Sequence, residues 1–376
     1  MTKPTYKSAE AFQGLVNTLR EAAEMYLDPD RSGGEIGVIE SFRYLLHLTS
    51  AATDFYLEGD PERPEFVRMV SPTRKLGGDN PDATYHFARV RPDRSYRISG
   101  KRGRECYFSF SVHGRISEDR LGMTAEPLLA DVNDRSLTIA PDGSYELILS
   151  PDERSGNWIP LAPNAASVIV RHYFEFEQTV TDDPDFRVDL RIEALAAPPV
   201  RPPANDADMA RRIRDVTAFV RGGTIDLLDL SSLPVPFVSQ VANELPQPSG
   251  FRASGNASWG AADVLYAMAP FRVEPEQALV MEGTLPPCAF ANVVLWSRQM
   301  QTFEYRDRRV SLNRKQMVLE RDGSYRIVIA HRDPGVPNWL DTENHTEGTI
   351  FWRFLLPEVE PAKSKCTLMP LSQVRK

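Results

Sequence analysis

The sequence is poor in the residues that advertise chemistry. Its 376 residues hold three cysteines, Cys106, Cys288 and Cys366, odd in number, far apart and without a CxxC pair. A disulfide framework or a structural zinc site is therefore not expected. Six histidines form no short-range His/Asp ligand set, so spacing makes no case for a metal or other cofactor, and none is expected. GxGxxG after a strand, GxxxxGKS/T, HExxH and GxSxG are all missing. That removes sequence support for dinucleotide, P-loop, zincin and α/β-hydrolase chemistry. The start, MTKPTYKSAEAF, has no apolar leader, and no apolar run reaches membrane length; the expectation is a cytoplasmic protein with no membrane partner. Positive charge is short as well, with 44 Lys and Arg against 52 Asp and Glu for a net −8. Nucleic acid and anionic membranes both reward positive charge, so neither is expected as a partner.

What the chain has in excess is proline, 30 residues or about 8%, against roughly 5% on average. Proline blocks helix interiors, which disfavours an all-helical fold. The length is enough for two or three domains with ample cores.

Apolar residues at Phe12, Leu15, Val16, Leu19, Ala22, Ala23 and Tyr26 follow helical spacing from Ser8 to Leu27, with Ser8 as the expected N-cap. A second helix is expected from Ile36 to Leu57, ending at Gly59-Asp60-Pro61. From Thr84 onward short alternating runs take over, such as TYHFARV, ECYFSFSVHG and ASVIVRHYF, indicating a sandwich or barrel. AAPPVRPP near 196–203 reads as a linker, followed by a helix over Asp208–Arg221, and strands resume near Leu265.

The most specific signal is an internal repeat. Asp142-Gly143-Ser144-Tyr145 recurs as Asp322-Gly323-Ser324-Tyr325, Asn157-Trp158 as Asn338-Trp339, and Arg171 as Arg353. Val90, Pro92 and Gly100 match Val273, Pro275 and Gly283 at an offset of 183, and Cys106 and Phe108 match Cys288 and Phe290 at 182. The expected architecture is mainly β with helical additions: two tandem antiparallel β-sandwich, jelly-roll-like modules, an N-terminal helical hairpin and an inserted helix between modules. The boundaries are 1–74 helical, 75–195 first module, 196–254 linker with helix, 255–358 second module, and 359–376 a loosely held tail. Shared landmarks read as fold determinants: Asp-Gly for a tight turn, Asn-Trp for a corner, the cysteines as small buried hydrophobes.

Function is then sought where the copies differ. Gly77-Gly78-Asp79-Asn80-Pro81-Asp82 precedes a strand with Tyr85 and Arg89 on one face and Thr84 and His86 on the other. At the offsets above, His86 and His113 correspond to Ala269 and Leu295, so the repeat requires no histidine at either place. Ser109, Ser111 and His113 beside His86 line either a cleft or a hydrated outer face. Were a metal bound across strands, His86, His113 and Asp82 would be the candidates. In the second copy His331, His345 and Trp296 are distinctive, and Glu343 and Glu347 would raise the pKa of His345 if close. Arg171 and Arg353 either cap strand ends or reach into a cleft to bind an anionic group.

GGDNPDATYHFARV, RSYRISGKRG, GNWIPLAP and VIVRHYF, with the helical entry YLLHLTSAATDFYLEGDPERPEFVRMVSP, resemble the bacterial proteins of domain-of-unknown-function family 1214. Asn80, Pro81, Asp82, Tyr85, Asn157, Trp158 and Arg171 match the family pattern, and Ile159 stands where relatives often carry an aromatic. The resemblance implies tandem jelly-roll-like sandwiches and accessory or catabolic roles on hydrophobic or aromatic compounds.

Together these observations lead to a cofactor-independent catabolic enzyme, a lyase acting on a small aromatic compound of lignin-derived type or another hydrophobic molecule. Asp82, Tyr85, His86 and His113 would carry acid–base steps, and Asn80, Arg89, Arg171, Trp158 and Trp296 would bind substrate. The alternative is a non-catalytic ligand- or carbohydrate-binding protein with Trp296 and Trp352 as platforms. Association into a homo-oligomer stays open.

Overall fold

The computed structural model describes residues 5–123, 125–183, 185–227, 235–251 and 259–374. The chain opens with α1 (Lys7–Tyr26), a short α2 (Pro29–Ser32) and α3 (Glu35–Ala52), which runs on into a π-helical turn, Thr53–Glu58. Ser8 does not cap α1. The Asp206 carboxylate does, accepting from the Lys7 N–H at 2.7 Å, the Ser8 N–H at 2.9 Å and the Ser8 hydroxyl at 2.6 Å. Asp206 opens α4 (Asp206–Gly222), so the helix inserted between the modules is tied to the first helix of the chain. A carboxylate suits the orphan donors and the positive end of α1.

The first module comprises β1 (Val67–Arg68), β2 (Ala83–Arg89), β3 (Tyr96–Lys101), β4 (Tyr107–Gly114), β5 (Leu128–Asn133), β6 (Ser144–Ser150), β7 (Trp158–Pro160), β8 (Ala165–Tyr173) and β9 (Asp189–Ala194). The second comprises β10 (Val264–Arg272), β11 (Gln277–Thr284), β12 (Phe290–Trp296), β13 (Ser311–Asn313), β14 (Ser324–Ala330), β15 (Trp339–Asp341), β16 (Glu347–Leu355) and β17 (Lys365–Pro370). In the first, a sheet ordered β1-β2-β8-β4-β5 packs on β7-β6-β3-β9. In the second, β10-β16-β12-β13 packs on β15-β14-β11-β17. Strand for strand the arrangements agree, with β1 an added edge. Pairing is antiparallel throughout, apart from the short parallel pairs β6–β7 and β14–β15.

Each sandwich buries its own core, led by Phe108, Phe110, Leu147 and Val170 in the first and by Leu279, Val293, Ile327 and Trp352 in the second. The helices cover part of the outer face of the first module's larger sheet, where Phe55 stacks on Phe87 at 4.4 Å between ring centres. Among the described residues no helix is long and apolar enough to cross a membrane.

The repeated landmarks hold the turns and corners. Gly143 and Gly323 have φ of 89° and 83°, a region only glycine enters without strain. Tyr145 and Tyr325 lie over Gly100 and Gly283, where a Cβ would stand 2.4 Å from each tyrosine hydroxyl. The Asn157 side chain bonds the Thr138 N–H and the Thr138 and Glu146 carbonyls, and Asn338 does the same with Val318 and Arg326. The cysteine thiols are partly buried and unpaired, and burial pushes Cys106 up to about 12, as suits inert packing residues.

Two sequence expectations change. The stretch beyond 358 is not a loose tail: β17 pairs with β11 and completes the second sandwich. Its residues alternate only between exposed and half-buried, the weak signal of an edge strand. The offset of 182 on the cysteine strand was also one residue short. Cys106 N–H bonds the Tyr173 carbonyl and Ala289 N–H bonds the Leu355 carbonyl, both at 2.9 Å, so Cys106 corresponds to Ala289. A one-residue slip reverses every face. Phe108 matches Ala291, and Phe290 points outward between the modules. The counterpart of His113 is consequently Trp296 rather than Leu295. Tyr85 beside Arg171 corresponds to Tyr266 beside Arg353, which puts Ala267 rather than Ala269 in the place of His86.

Candidate functional site

The outer faces of β2-β8-β4 and β10-β16-β12 are turned toward each other. Each has an arginine on its central strand, Arg171 between Tyr85 and Ser109, and Arg353 between Tyr266 and Asn292. Between the faces lies a cavity of about 170 Å³, walled by Tyr85, Tyr173, Tyr266, Trp259, Trp296, Phe237, Phe251 and Phe351 and by Met123, Met268 and Met300, with both arginines at its surface. Trp296 stacks on Phe351 at 4.2 Å, and Phe237 meets Tyr266 at 5.3 Å. Burial holds the Tyr85 and Tyr266 hydroxyls far above their usual range, although the charges of Arg171 and Arg353 pull the other way.

The modules grip each other reciprocally. Asp82, just before β2, accepts from Asn292 Nδ2 at 2.9 Å and Asn313 Nδ2 at 2.8 Å on the second module. Asp263, just before β10, accepts from Tyr107 Oη at 2.9 Å and Asn133 Nδ2 at 2.7 Å on the first. The same exchange covers the arginines. Arg353 donates to the Gly78 carbonyl at 2.9 Å, and Arg171 donates to the Trp259 carbonyl at 2.6 Å.

Of the nine residues singled out in the sequence, three meet at this cavity: Tyr85, Arg171 and Trp296. The other six lie elsewhere. His86 and His113 stand on opposite faces of one sheet, because His86 shares a row with Val170 and Phe110, and His113 with Ser167 and Arg89. They do not form a polar face together, and no metal set with Asp82 arises. Burial, first of all, drives their pKa values down to about 4 and about 3, so both are neutral core histidines. Asp82 and Asn80 belong to the module clasp, Asn80 Oδ1 accepting from Asn292 Nδ2 at 2.7 Å. Burial pushes Asp82 up to about 6 against its bonds from the two asparagines. Arg89 leaves the cavity for Asp215 of α4, 3.8 Å away. Trp158 sits on the edge strand β7, its indole N–H shared between the carbonyl and hydroxyl of Ser150 at 3.3 and 3.2 Å.

Nor do the tryptophans form a platform: Trp296 is 2% exposed and Trp352 is fully buried in the second core. His345 is opposed by its burial, yet Glu40 of α3, at 2.9 Å, raises its pKa. The effective carboxylate is thus not the expected Glu343 or Glu347 alone. His331 bonds the Val273 carbonyl at 2.7 Å. Among the described residues no group of three or more His, Cys, Asp or Glu is placed to hold a metal ion.

The sequence reading passed over Tyr266, Trp259 and Glu126. Tyr266 is the repeat partner of Tyr85, which the correct register would have revealed. Trp259 is held by Glu126, which accepts its indole N–H at 2.8 Å and lies 3.3 Å from Tyr56 Oη. Burial lifts Glu126 from 4.5 to about 7. In the folded protein the carboxyl keeps a proton that the unfolded chain has already released, so the stabilisation it gives when protonated is complete below 4.5 and is lost as the pH rises through about 7. Urea unfolding of wild type at about pH 5 and about pH 8 should differ by some 2–3 kcal/mol from this group, with the acidic sample more stable. Glu126→Gln should remove that share of the slope. An unchanged slope in the variant would show that Glu126 titrates normally.

The family model described as "Protein of unknown function (DUF1214)" matches residues 85–174 and again 269–359. The two matches fall on the two sandwiches. Among solved structures, an uncharacterized protein from Burkholderia cenocepacia is similar over 98% of both chains, at 28% identity and a TM-score of 0.84. The VPA0106 protein from Vibrio parahaemolyticus shares the fold, covering 87% of this chain and 98% of its own at 12% identity and a TM-score of 0.51. No curated protein matches the sequence.

Proposed function

Because both β modules place this chain in the DUF1214 family, whose description assigns no activity, we propose a function from the cavity itself: the protein holds a small single-ring aromatic compound between its two modules. The supporting observation is a space of about 170 Å³ lined mainly by aromatic, methionine and aliphatic side chains. An apolar cavity of roughly 150 Å³ takes up benzene, so one ring fits and two fused rings do not. Aromatic walls receive such a ring edge-on or offset-stacked, and methionines adapt to its substituents.

This reading favours binding over the lyase expected from the sequence. Of the four acid–base residues only Tyr85 reaches the cavity, and burial keeps its hydroxyl protonated. A reducing, cytoplasmic setting belongs to the same proposal, since all three cysteines stand unpaired.

Thermal unfolding and calorimetry with toluene, phenol and naphthalene test it. The single-ring compounds should bind, stabilising the protein by about 1.4 kcal/mol at ten times Kd, and naphthalene should not. Met268→Trp, which fills the space, should abolish binding. Failure of every single-ring compound to bind would end the proposal. Mass-spectrometric detection of cleaved lignin-type dimers would restore the lyase.

A further inference from the structure

We propose that the occupant is an anion, a one-ring aromatic acid whose carboxylate lies against Arg353 and Arg171. The inference rests on the cavity being a ligand site and names the chemical class of the ligand.

Both arginines are only 3% exposed, and among the described residues the groups that hydrogen-bond them are uncharged. Arg171 donates to the Ser111 hydroxyl and the Trp259 carbonyl, each at 2.6 Å. Ser111 in turn donates to Asp131. Arg353 donates to the carbonyls of Gly78 and Asp79 at 2.9 and 3.3 Å. Its guanidinium also lies over the rings of Trp296 and Phe351, 5.0 and 4.5 Å from their centres. Among the described residues no carboxylate oxygen comes within 4.0 Å of either guanidinium. Arg89, Arg115 and Arg314, by contrast, each pair with an Asp or Glu.

Arg353 Nη1 is buried and has no hydrogen-bond partner among the described residues. Asp79 and Asp82 feel its charge, but their oxygens are occupied, Asp79 by the backbone and hydroxyl of Thr302 and Asp82 by Asn292 and Asn313. A buried guanidinium with a spare N–H is short of an acceptor and of a directly paired carboxylate. A planar carboxylate supplies both and matches the fork of the guanidinium. The ring behind it then lies against the aromatic wall, with Tyr85 and Tyr266 on either side as further hydroxyl donors. A neutral ring would leave Nη1 unpaired.

Calorimetry on the full chain at neutral pH, with benzoate, benzamide, toluene and acetate as probes, tests the inference. Benzoate should bind at least about tenfold more tightly than benzamide or acetate. Arg353→Met should bring benzoate down to the level of benzamide, so that the ratio of their affinities falls to about one. Benzamide binding as tightly as benzoate to wild type would overturn the anion and leave the aromatic cavity standing. No binding of benzoate, benzamide or toluene would overturn both, and acetate as tight as benzoate would remove the ring. The wild-type comparison decides the matter even if the Arg353 variant does not fold.

Discussion

Replacing Asp82 with alanine should lower the unfolding free energy by about 3–5 kcal/mol, because two buried amide donors lose a charged acceptor at once. Those donors, on Asn292 and Asn313, lie on β12 and β13 of the other module, and both asparagines are fully buried, so no water replaces the carboxylate. Asp82→Asn keeps the shape and one acceptor oxygen but turns an amide toward one of the asparagine donors, and should lose roughly half as much. Equilibrium urea unfolding of the three proteins measures the series. A catalytic Asp82 would give the opposite pattern, with the Asn variant as stable as wild type and inactive.

Trp296→Ala should cost a similar 3–5 kcal/mol, from the lost indole contacts and the space left behind. Trp296 also donates from Nε1 to the Asp79 carbonyl at 3.0 Å and lies beneath the Arg353 guanidinium. Its removal therefore loosens the wall that positions the arginine. The enlarged cavity should accept naphthalene-sized compounds that wild type rejects, read by calorimetry on the same samples. Trp296→Phe should retain the size limit and lose only about 1 kcal/mol, near the worth of one hydrogen bond. If Trp296→Ala keeps the selectivity of wild type, the indole does not bound the ligand space.

Much of the architecture was legible because duplication repeats the evidence. Turn glycines, corner asparagines and the arginines on β8 and β16 recur in order, and the two sandwiches follow from them. Register was harder. Cysteine and phenylalanine recur two residues apart in both copies, yet the copies differ by one position in phase, and only the backbone pairing of Cys106 and Ala289 reveals it.

The site was legible only in part for a physical reason. Asn80 and Asp82 look like chemistry in a list of residues, because a buried structural carboxylate and a catalytic one use the same side chain. What separates them is the presence of Asn292 and Asn313, about 210 and 231 positions away. His86 and His113 failed similarly: each strand's alternation was read correctly, but the relation between the strands needs pairing that sequence does not carry. Arg171 and Arg353 both line the cavity, because a charge in an apolar strand has few places to go.

The exchange of leading segments gives the two modules a pseudo-two-fold interface. Contacts in which one half gives what it also receives are the pattern of a two-fold homodimer. Here that pattern is closed within a single polypeptide. Within one chain, equivalent positions need not match, and His113 and Trp296 occupy the same place on β4 and β12. A pocket lying between matched arginines is therefore not symmetric, and a ligand with two unlike ends can have one preferred orientation in it.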